Sequence, residues 1–220
     1  MDSKPEQKPP IRAAVVVAEL TLEGVAKING VTYDGRYVWI ADGTGGGLAA
    51  VDPRAGVVVR RLPDVAAPAG TAFDGAHLYQ IAGELIHKID PATGATVATL
   101  PVPGGAPASG LGSADGALWV GQGKLQRIVK IDAVTGEVLK TITSDRFVTG
   151  VTWVDEELWH GTLGESAEEL RRVDPSSGEV LERILLPEGI HPSGLEADDE
   201  GRLWFGDWAN GKLRAVARRA

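Results

Sequence analysis

Residues 30–62, GVTYDGRYVWIADGTGGGLAAVDPRAGVVVRRL, contain four short runs of apolar or alternating residues separated by turns. In chain order these runs predict strands one to four: Gly30 to Tyr33, Tyr37 to Ala41, Leu48 to Asp52 and Val57 to Leu62. The Asp34-Gly35 pair between the first two runs is typical of a hairpin turn, in which glycine accepts a positive φ. The stretch therefore predicts one four-stranded antiparallel sheet.

The same pattern recurs about every 40 residues along the chain. A glycine opens each repeat, at Gly30, Gly70, Gly110, Gly150 and, after a small insertion, Gly194. An aromatic residue follows in each second strand, at Trp39, Tyr79, Trp119, Trp159 and Trp204. An aspartate ends the third strand of four repeats, at Asp52, Asp90, Asp132 and Asp174, and we interpret it as a turn-former. A fixed period of this length, built from strands and turns, indicates a β-propeller.

The last repeat lacks a fourth strand, since its three runs are Gly194 to Ala197, Leu203 to Asp207 and Leu213 to Val216. The segment Ala13 to Leu20, AAVVVAEL, has no repeat of its own. We predict that it supplies the missing outer strand, so that both termini close the ring and no long sheet edge stays open. The predicted fold is an all-β, five-bladed β-propeller with four-stranded antiparallel blades. Residues 1–10 are expected to form a disordered leader, and residues 11–220 a single domain.

The composition of the chain limits the classes of partner that this propeller is expected to bind. The 220 residues carry a formal net charge of −8, which disfavours binding to a nucleic-acid backbone. No cysteine is present, which excludes disulfides, and no apolar run approaches the roughly 18 residues of a membrane span. We therefore expect a cytoplasmic monomer, without nucleic-acid or membrane partners, whose ligand is a small molecule or a peptide terminus.

A binding site is predicted where loops of the rigid scaffold converge on one face of the ring. Antiparallel register places each repeat glycine opposite a residue of strand two, and the missing Cβ leaves a gap beside it. These facing residues form a first predicted ring: Ile40, Gln80, Val120, His160 and Phe205. The residues that precede the glycines form a second ring: Asn29, Ala69, Ser109, Thr149 and Ser193. Together they predict a small, mostly neutral cup of the kind that binds small molecules.

Three residues near this cup are candidates for acid–base catalysis: His160, His191 and Glu196. A structural, hydrogen-bonded histidine is the alternative for His160, and a surface histidine paired with an aspartate is the alternative for His191. Register places His191 near Asp207 and Trp208, which we expect to contact a ligand. Glu196 stands where the other repeats have small residues, so it should be paired, bind a cation or have a raised pKa. Its alternative is a shifted register that turns it outward.

A metal site is a weaker hypothesis. Asp42 and Asp207 end the second strands of the first and last blades, which become neighbours when the ring closes. Two carboxylates with His191 nearby could hold a divalent ion, although their spacing matches no specific motif. No cofactor is expected otherwise. The glutamates Glu165, Glu168 and Glu169 predict a solvated rim or a lid.

The first blade resembles a known family. Asn29-Gly30-Val31, Val38-Trp39-Ile40, Gly43-Thr44-Gly45 and Val51-Asp52, followed by Gly56, are similar to glutaminyl-peptide cyclotransferases of the five-bladed type, as is Leu78-Tyr79-Gln80. That resemblance implies a central cup in which N-terminal glutamine is cyclised and ammonia is released. Gln80 carries over, but Ile40 stands where the family has a Glu. The sequence has Asn29 and Ala69 where the family has Gln and an acidic residue, and Ser109 and Gln122 where it has tryptophans.

The last blade resembles a second family. Leu203-Trp204-Phe205-Gly206-Asp207 and Asn210-Gly211-Lys212-Leu213 are similar to the repeat of virginiamycin B lyase-like propellers, which open a lactone with a metal, His and Glu. Three functions are therefore weighed. The leading one is a small-molecule or peptide-end enzyme related to the cyclotransferases with altered catalytic residues, and the others are a metal-assisted lyase and a non-catalytic binding or protein-interaction propeller.

Overall fold

The computed structural model describes residues 8–164 and 167–219, and it confirms an all-β, five-bladed propeller. Blade 1 contains β3 (Ile28–Tyr33), β4 (Val38–Asp42), β5 (Leu48–Asp52) and β6 (Val57–Leu62). Blade 2 contains β7 (Thr71–Phe73), β8 (Leu78–Ala82), β9 (Leu85–Ile89) and β10 (Thr96–Pro101). Blade 3 contains β11 (Gly110–Ala114), β12 (Ala117–Gln122), β13 (Arg127–Asp132) and β14 (Val138–Thr143).

Blades 4 and 5 complete the ring. Blade 4 contains β15 (Phe147–Val154), β16 (Glu157–Leu163), β17 (Glu169–Val173) and β18 (Val180–Leu185). Blade 5 contains β19 (Pro192–Ala197), β20 (Arg202–Asp207) and β21 (Leu213–Ala217), and its outer strand is β2 (Val16–Leu20). The helical residues described are two short 3₁₀ turns, Pro103–Gly105 and Gly123–Leu125. No described segment forms a helix that is long and apolar enough to cross a membrane.

The N-terminal segment closes the ring with two strands, each paired with a different blade. Val16–Leu20 pairs antiparallel with β21, as predicted. Ile11–Ala13, however, forms a separate strand, β1, that pairs parallel with β18 as a fifth strand of blade 4. The prediction of one strand from Ala13 to Leu20 is wrong in its bounds, and β1 adds a parallel edge strand to blade 4, whose other four strands are antiparallel as predicted. Within the predicted leader, residues 1–7 lie outside the described part, whereas the Pro10 carbonyl accepts a hydrogen bond from Arg183.

The recurring acidic residues have a structural explanation. The Oδ1 of Asp52, Asp132 and Asp174 accepts two backbone N–H groups two and three residues further on, as expected of turn-formers. A second carboxylate, between strands one and two or at the first residue of strand two, accepts a hydrogen bond from the strand-two aromatic residue of four blades. The pairs are Trp39 with Asp34, Tyr79 with Asp74, Trp159 with Glu157 and Trp204 with Asp198, at 2.6–3.0 Å. These bonds anchor each large ring in the core.

The repeat glycines form a continuous belt around the axis. A Cβ at Gly70 would lie 2.7 Å from the backbone nitrogen of Leu111 and 2.8 Å from the Cα of Gly110. The same conflict with the next inner strand arises at every member of this glycine belt: Gly30, Gly70, Gly110, Gly150 and Gly194. Backbones pack directly against one another there because five blades leave little room at the centre. Five apolar clusters, one between each pair of adjacent blades, bury the rest of the core.

Candidate functional site

A cavity of about 210 Å³ opens at the centre of one face, which we call the top face. All five residues of the second predicted ring line it: Asn29, Ala69, Ser109, Thr149 and Ser193. Apolar walls come from Pro68, Ala108, Phe147, Leu163, Pro192 and the partly exposed Trp208. A larger groove of about 720 Å³ runs along the outer strand β6, and its lining includes none of the predicted site residues. The structure thus brings one residue per blade together on the axis, while their role in binding a ligand stays a prediction.

The first predicted ring is not at the cavity. Gly30 pairs with Ala41 and Gly110 with Gly121, one residue beyond the predicted partners. The space beside each glycine is filled by the backbone of the next blade, so no side chain leans over it. Ile40, Val120 and Phe205 are instead fully buried in the apolar clusters between blades. The register prediction was wrong because each hairpin begins pairing one residue later than predicted: Tyr33 pairs with Val38 and Ala114 with Ala117, and this offset continues along the inner strand to the glycine.

Gln80 does not line the cavity but binds the backbone of a residue that does. Its Nε2 donates to the carbonyl oxygens of Ala69 and Ile81 at 3.0 and 2.9 Å, and the side chain is fully buried. The bond to Ala69 fixes a backbone that lines the cavity. Gln80 is therefore placed as a residue that positions the wall, rather than as one that contacts a ligand.

His160 is a buried residue of β16 that does not line the cavity. Its side chain is sealed within blade 4, and Nδ1 lies 3.1 Å from the Gly161 carbonyl oxygen. Burial lowers the pKa of His160 to about 4, so the ring is neutral near pH 7 and donates its Nδ1–H to that carbonyl. This geometry is the structural alternative that the sequence left open.

Glu196 lies on the far side of the glycine belt from the cavity-lining residues of its strand. Its carboxylate accepts hydrogen bonds from Thr32 of blade 1, at 2.9 Å, and from Thr152 of blade 4. The backbone N–H of Ala197 adds a third bond at 3.0 Å. Some surface of Glu196 remains accessible, yet protein surrounds the carboxyl group, and burial raises its pKa to about 7. The raised pKa agrees with the sequence hypothesis, whereas the cavity lining does not include Glu196.

His191 stands beside the cavity with an aromatic and an acidic neighbour. Its ring centroid lies 5.7 Å from that of Trp208, which lines the cavity. The acidic neighbour is Glu168, whose Oε1 lies 3.6 Å from His191 Nδ1, and not the predicted Asp207. Burial raises the pKa of Glu168, and its Oε2, which accepts no hydrogen bond among the described residues, lies 3.8 Å from Arg146 Nη2. Sequence spacing could not reveal this pair, because its members are 23 positions apart and belong to two adjacent blades.

The remaining acidic residues are structural. Asp207 is fully buried and accepts from Arg214 at 2.6 Å, so it is placed neither as a ligand contact nor as the partner of His191. Asp42 accepts from Arg61 at 3.0 Å and from the backbone of its own loop. With a guanidinium beside each carboxylate, the predicted two-carboxylate metal site has no support. No group of three or more His, Asp or Glu suited to a metal ion occurs among the described residues.

The glutamates of the predicted acidic rim have different surroundings. Glu165 lies outside the described residues. Glu169 is buried in β17, where it pairs with Arg146, Arg171 and Arg183. Burial alone would raise the pKa of Glu169, but the hydrogen bonds from Arg183 and Arg171 outweigh it and lower the pKa to about 2. Glu169 is therefore part of an internal ion-pair network and not of a lid.

The fold is similar to that in the crystal structure of Myxococcus xanthus glutaminyl cyclase. The TM-score is 0.78, covering 95% of this chain and 97% of that chain at 16% sequence identity. The WD40 propeller domain of Doa1 matches with a TM-score of 0.58 and 15% identity, over 87% of this chain and 64% of that one. Kuenenia stuttgartiensis hydrazine synthase matches with a TM-score of 0.53 and 20% identity, over 84% and 56%.

These likenesses show the fold, and they confirm the resemblance to the five-bladed cyclotransferases at that level. No protein-family model matches the sequence, and a search of curated proteins finds no significant match. Activity has to be argued from the cavity and the residues around it.

Proposed function

We propose that the protein is an enzyme that acts on a small molecule or peptide end held in the top-face cavity. His191 is its acid–base group, and Glu168 orients the imidazole. The observation that carries this proposal is the imidazole–carboxylate pair, 3.6 Å apart, beside the cavity wall formed by Trp208. A carboxylate on one ring nitrogen leaves the other nitrogen to exchange a proton with a bound ligand.

The similar crystal structure is that of a glutaminyl cyclase, which supports an enzymatic use of this fold. Ile40 stands where the resembled family has a Glu, and its side chain is buried in the core. This position therefore supplies no acid–base group in this protein. The chemistry that we propose therefore differs from that of the cyclotransferases, because the His191–Glu168 pair takes the role of the missing Glu. The virginiamycin B lyase alternative stays a prediction.

Turnover is tested with His191→Gln. The wild type is incubated with peptides that begin with glutamine and with mixed neutral metabolites, and products are followed by mass spectrometry. Loss of a general acid–base group lowers kcat by roughly 10²- to 10⁴-fold, while ligand binding is retained. His87→Gln, in blade 2, is the matched control and should leave turnover unchanged. Equal turnover in wild type and His191→Gln would contradict the assignment.

A non-catalytic binding propeller is the second candidate. It is favoured by the lining of the cavity, in which none of the described residues is ionisable. Binding without product in the wild type, with the same affinity in His191→Gln, would select this candidate.

A further inference from the structure

Two polar side chains of the second predicted ring turn their polar atoms away from the top-face cavity. The Thr149 hydroxyl oxygen is buried against Gly161, and it fills the space that a Cβ at Gly161 would need. The Asn29 amide lies against Gly43, where a Cβ would be 2.6 Å from the amide nitrogen. These two residues line the cavity, but their polar groups are directed at neighbouring backbone.

The two serines of the same ring are turned away in a similar manner. Ser193 Oγ lies 3.0 Å from the position that a Cβ at Gly206 would occupy. Ser109 Oγ donates to the Val148 carbonyl oxygen at 2.6 Å and accepts from the backbone N–H of Gly123 at 3.2 Å. The side chains of the ring therefore present mainly carbon atoms to the cavity, although four of its five members are polar residues.

The rest of the cavity wall is apolar as well. Its largest side chains are those of Phe147, Leu163 and Trp208, and none of the described lining residues is ionisable. A charged or strongly polar group placed there would lose its hydration without gaining a partner, which is unfavourable. An apolar group would instead gain free energy by leaving water. The cavity thus favours the apolar part of a ligand.

We propose that the cavity binds the apolar end of the ligand, a single aromatic ring or a branched alkyl group of similar size. This inference rests on the proposed function, because it names the substrate class of the same site. The cavity volume of about 210 Å³ fits this size, since an apolar cavity of roughly 150 Å³ binds benzene. The polar remainder of the ligand stays at the rim, where His191 stands beside Trp208.

The full chain is titrated with primary alcohols from ethanol to 1-pentanol and with benzyl alcohol, and binding is followed at the Trp208 indole signal by ¹⁵N-correlated NMR. Affinity should rise about fourfold with each added methylene until the cavity is full. Two probes carry a second hydroxyl at the apolar end: 1,4-butanediol, matched to 1-butanol, and 4-hydroxybenzyl alcohol, matched to benzyl alcohol. The added hydroxyl should lower affinity roughly tenfold or more, because it would be buried without a partner.

A polar replacement in the wall tests the same inference from the side of the protein. Leu163→Asn keeps the size of the side chain and places an amide at the cavity, so the affinity for benzyl alcohol should fall roughly tenfold. Leu139→Asn makes the same replacement on the outer strand β14, where Leu139 is 52% exposed, and should leave the affinity unchanged. Melting temperatures show whether both variants fold, and the comparison of alcohols with diols needs no variant.

The outcomes separate this inference from the proposed function. If a diol binds as tightly as its parent alcohol, or affinity does not rise with chain length, the apolar assignment is wrong. If no alcohol binds at tens of millimolar while a ligand is turned over in a His191-dependent manner, the assignment is also wrong but the proposed function stands. If the alcohols bind as expected while His191→Gln turns over a substrate as fast as the wild type, the ligand class stands and the proposed catalysis fails.

Discussion

Gly70 packs directly against Gly110 of the next blade, since a Cβ at Gly70 would lie 2.8 Å from the Gly110 Cα. Such contacts run around the whole glycine belt, and they explain why glycine recurs every 40 residues. The belt also separates two regions of the axis. The uncharged cavity lies on one side, and Glu196 with its two threonine partners lies on the other.

The first prediction concerns this belt. Gly70→Ala should destabilise the fold by about 3 kcal/mol or more, because the new Cβ meets backbone that cannot move aside. Gly45→Ala is the control, since a Cβ there would lie 3.8 Å from its nearest neighbour in an exposed loop. Urea denaturation should show a change within about 0.5 kcal/mol for the control. Equal losses in the two variants would mean that the close packing does not exist.

The second prediction concerns the buried indoles. Trp39 donates to Asp34 at 2.6 Å, whereas Trp119 Nε1 has no partner among the described residues. Both replacements by Phe lose similar apolar area, but Trp39→Phe also leaves Asp34 Oδ2 without its donor, while Oδ1 keeps two backbone N–H groups. Trp39→Phe should therefore cost about 1–3 kcal/mol more than Trp119→Phe in denaturation experiments. A larger loss for Trp119→Phe would refute the role of the hairpin carboxylates.

The third prediction concerns pH. His160 has a folded pKa of about 4, below its ordinary 6.5, so its contribution to stability is present above pH 6.5 and is lost as pH falls towards 4. Glu196 has a folded pKa of about 7, above its ordinary 4.5, so its contribution is present below pH 4.5 and is lost as pH rises towards 7. Each amounts to about 3 kcal/mol at most, and the two oppose one another between pH 4.5 and 6.5.

Single variants should separate these opposing effects. In Glu196→Gln only the His160 effect remains. The free energy of unfolding of this variant should therefore fall more steeply than that of the wild type as pH falls from 6.5 to 4.5. His160→Asn should show the reverse trend, with stability falling as pH rises from 4.5 to 7. Thermal denaturation across this range is the measurement. A pH profile that neither variant alters would show that both groups titrate normally.

The fourth prediction concerns ring closure. Arg12 joins two blades, since its Nε pairs with Glu182 at 3.0 Å and its Nη2 donates to the carbonyl oxygens of Ala217 and Arg218. Removal of residues 1–14 deletes β1 but keeps β2, so a cooperative unfolding transition should persist at a lower temperature. Removal of residues 1–20 opens blade 5 and should abolish that transition. If both truncations melt like the intact chain, strand β2 does not close the ring.

Much of the fold follows from the sequence because repetition is a strong signal. The five glycines, the turn aspartates and the three-strand last repeat together predict five blades and closure by an N-terminal strand. The second ring, from Asn29 to Ser193, follows from the same period. What failed was the facing ring that included His160 and Phe205. The hairpins begin pairing one residue later than predicted, as Ala114 with Ala117 shows, and a one-residue shift changes the face on which every side chain lies.

The pairing of His191 with Glu168 could not be predicted from the sequence, for a different reason. Their approach depends on the path of the loop before β17 and on how blade 4 meets blade 5, and neither follows from a local pattern. Glu169, one residue further on, is more deeply buried and pairs with Arg171 and Arg183 as well as with Arg146, although it is the same residue type. The repeat predicts the scaffold, whereas the rim of the cavity is set by segments that do not repeat.

The central claim is that ligands bind in the top-face cavity. The chain has six tryptophans, and Trp208 is the one among them that lines this cavity. In a ¹⁵N-correlated NMR titration, a bound ligand should shift the Trp208 indole signal strongly in the wild type and in Ala76→Phe, on the opposite face. The shift should vanish in Ala108→Phe, which fills the cavity. A ligand that leaves the Trp208 signal in place, or binds Ala108→Phe unchanged, would contradict the account.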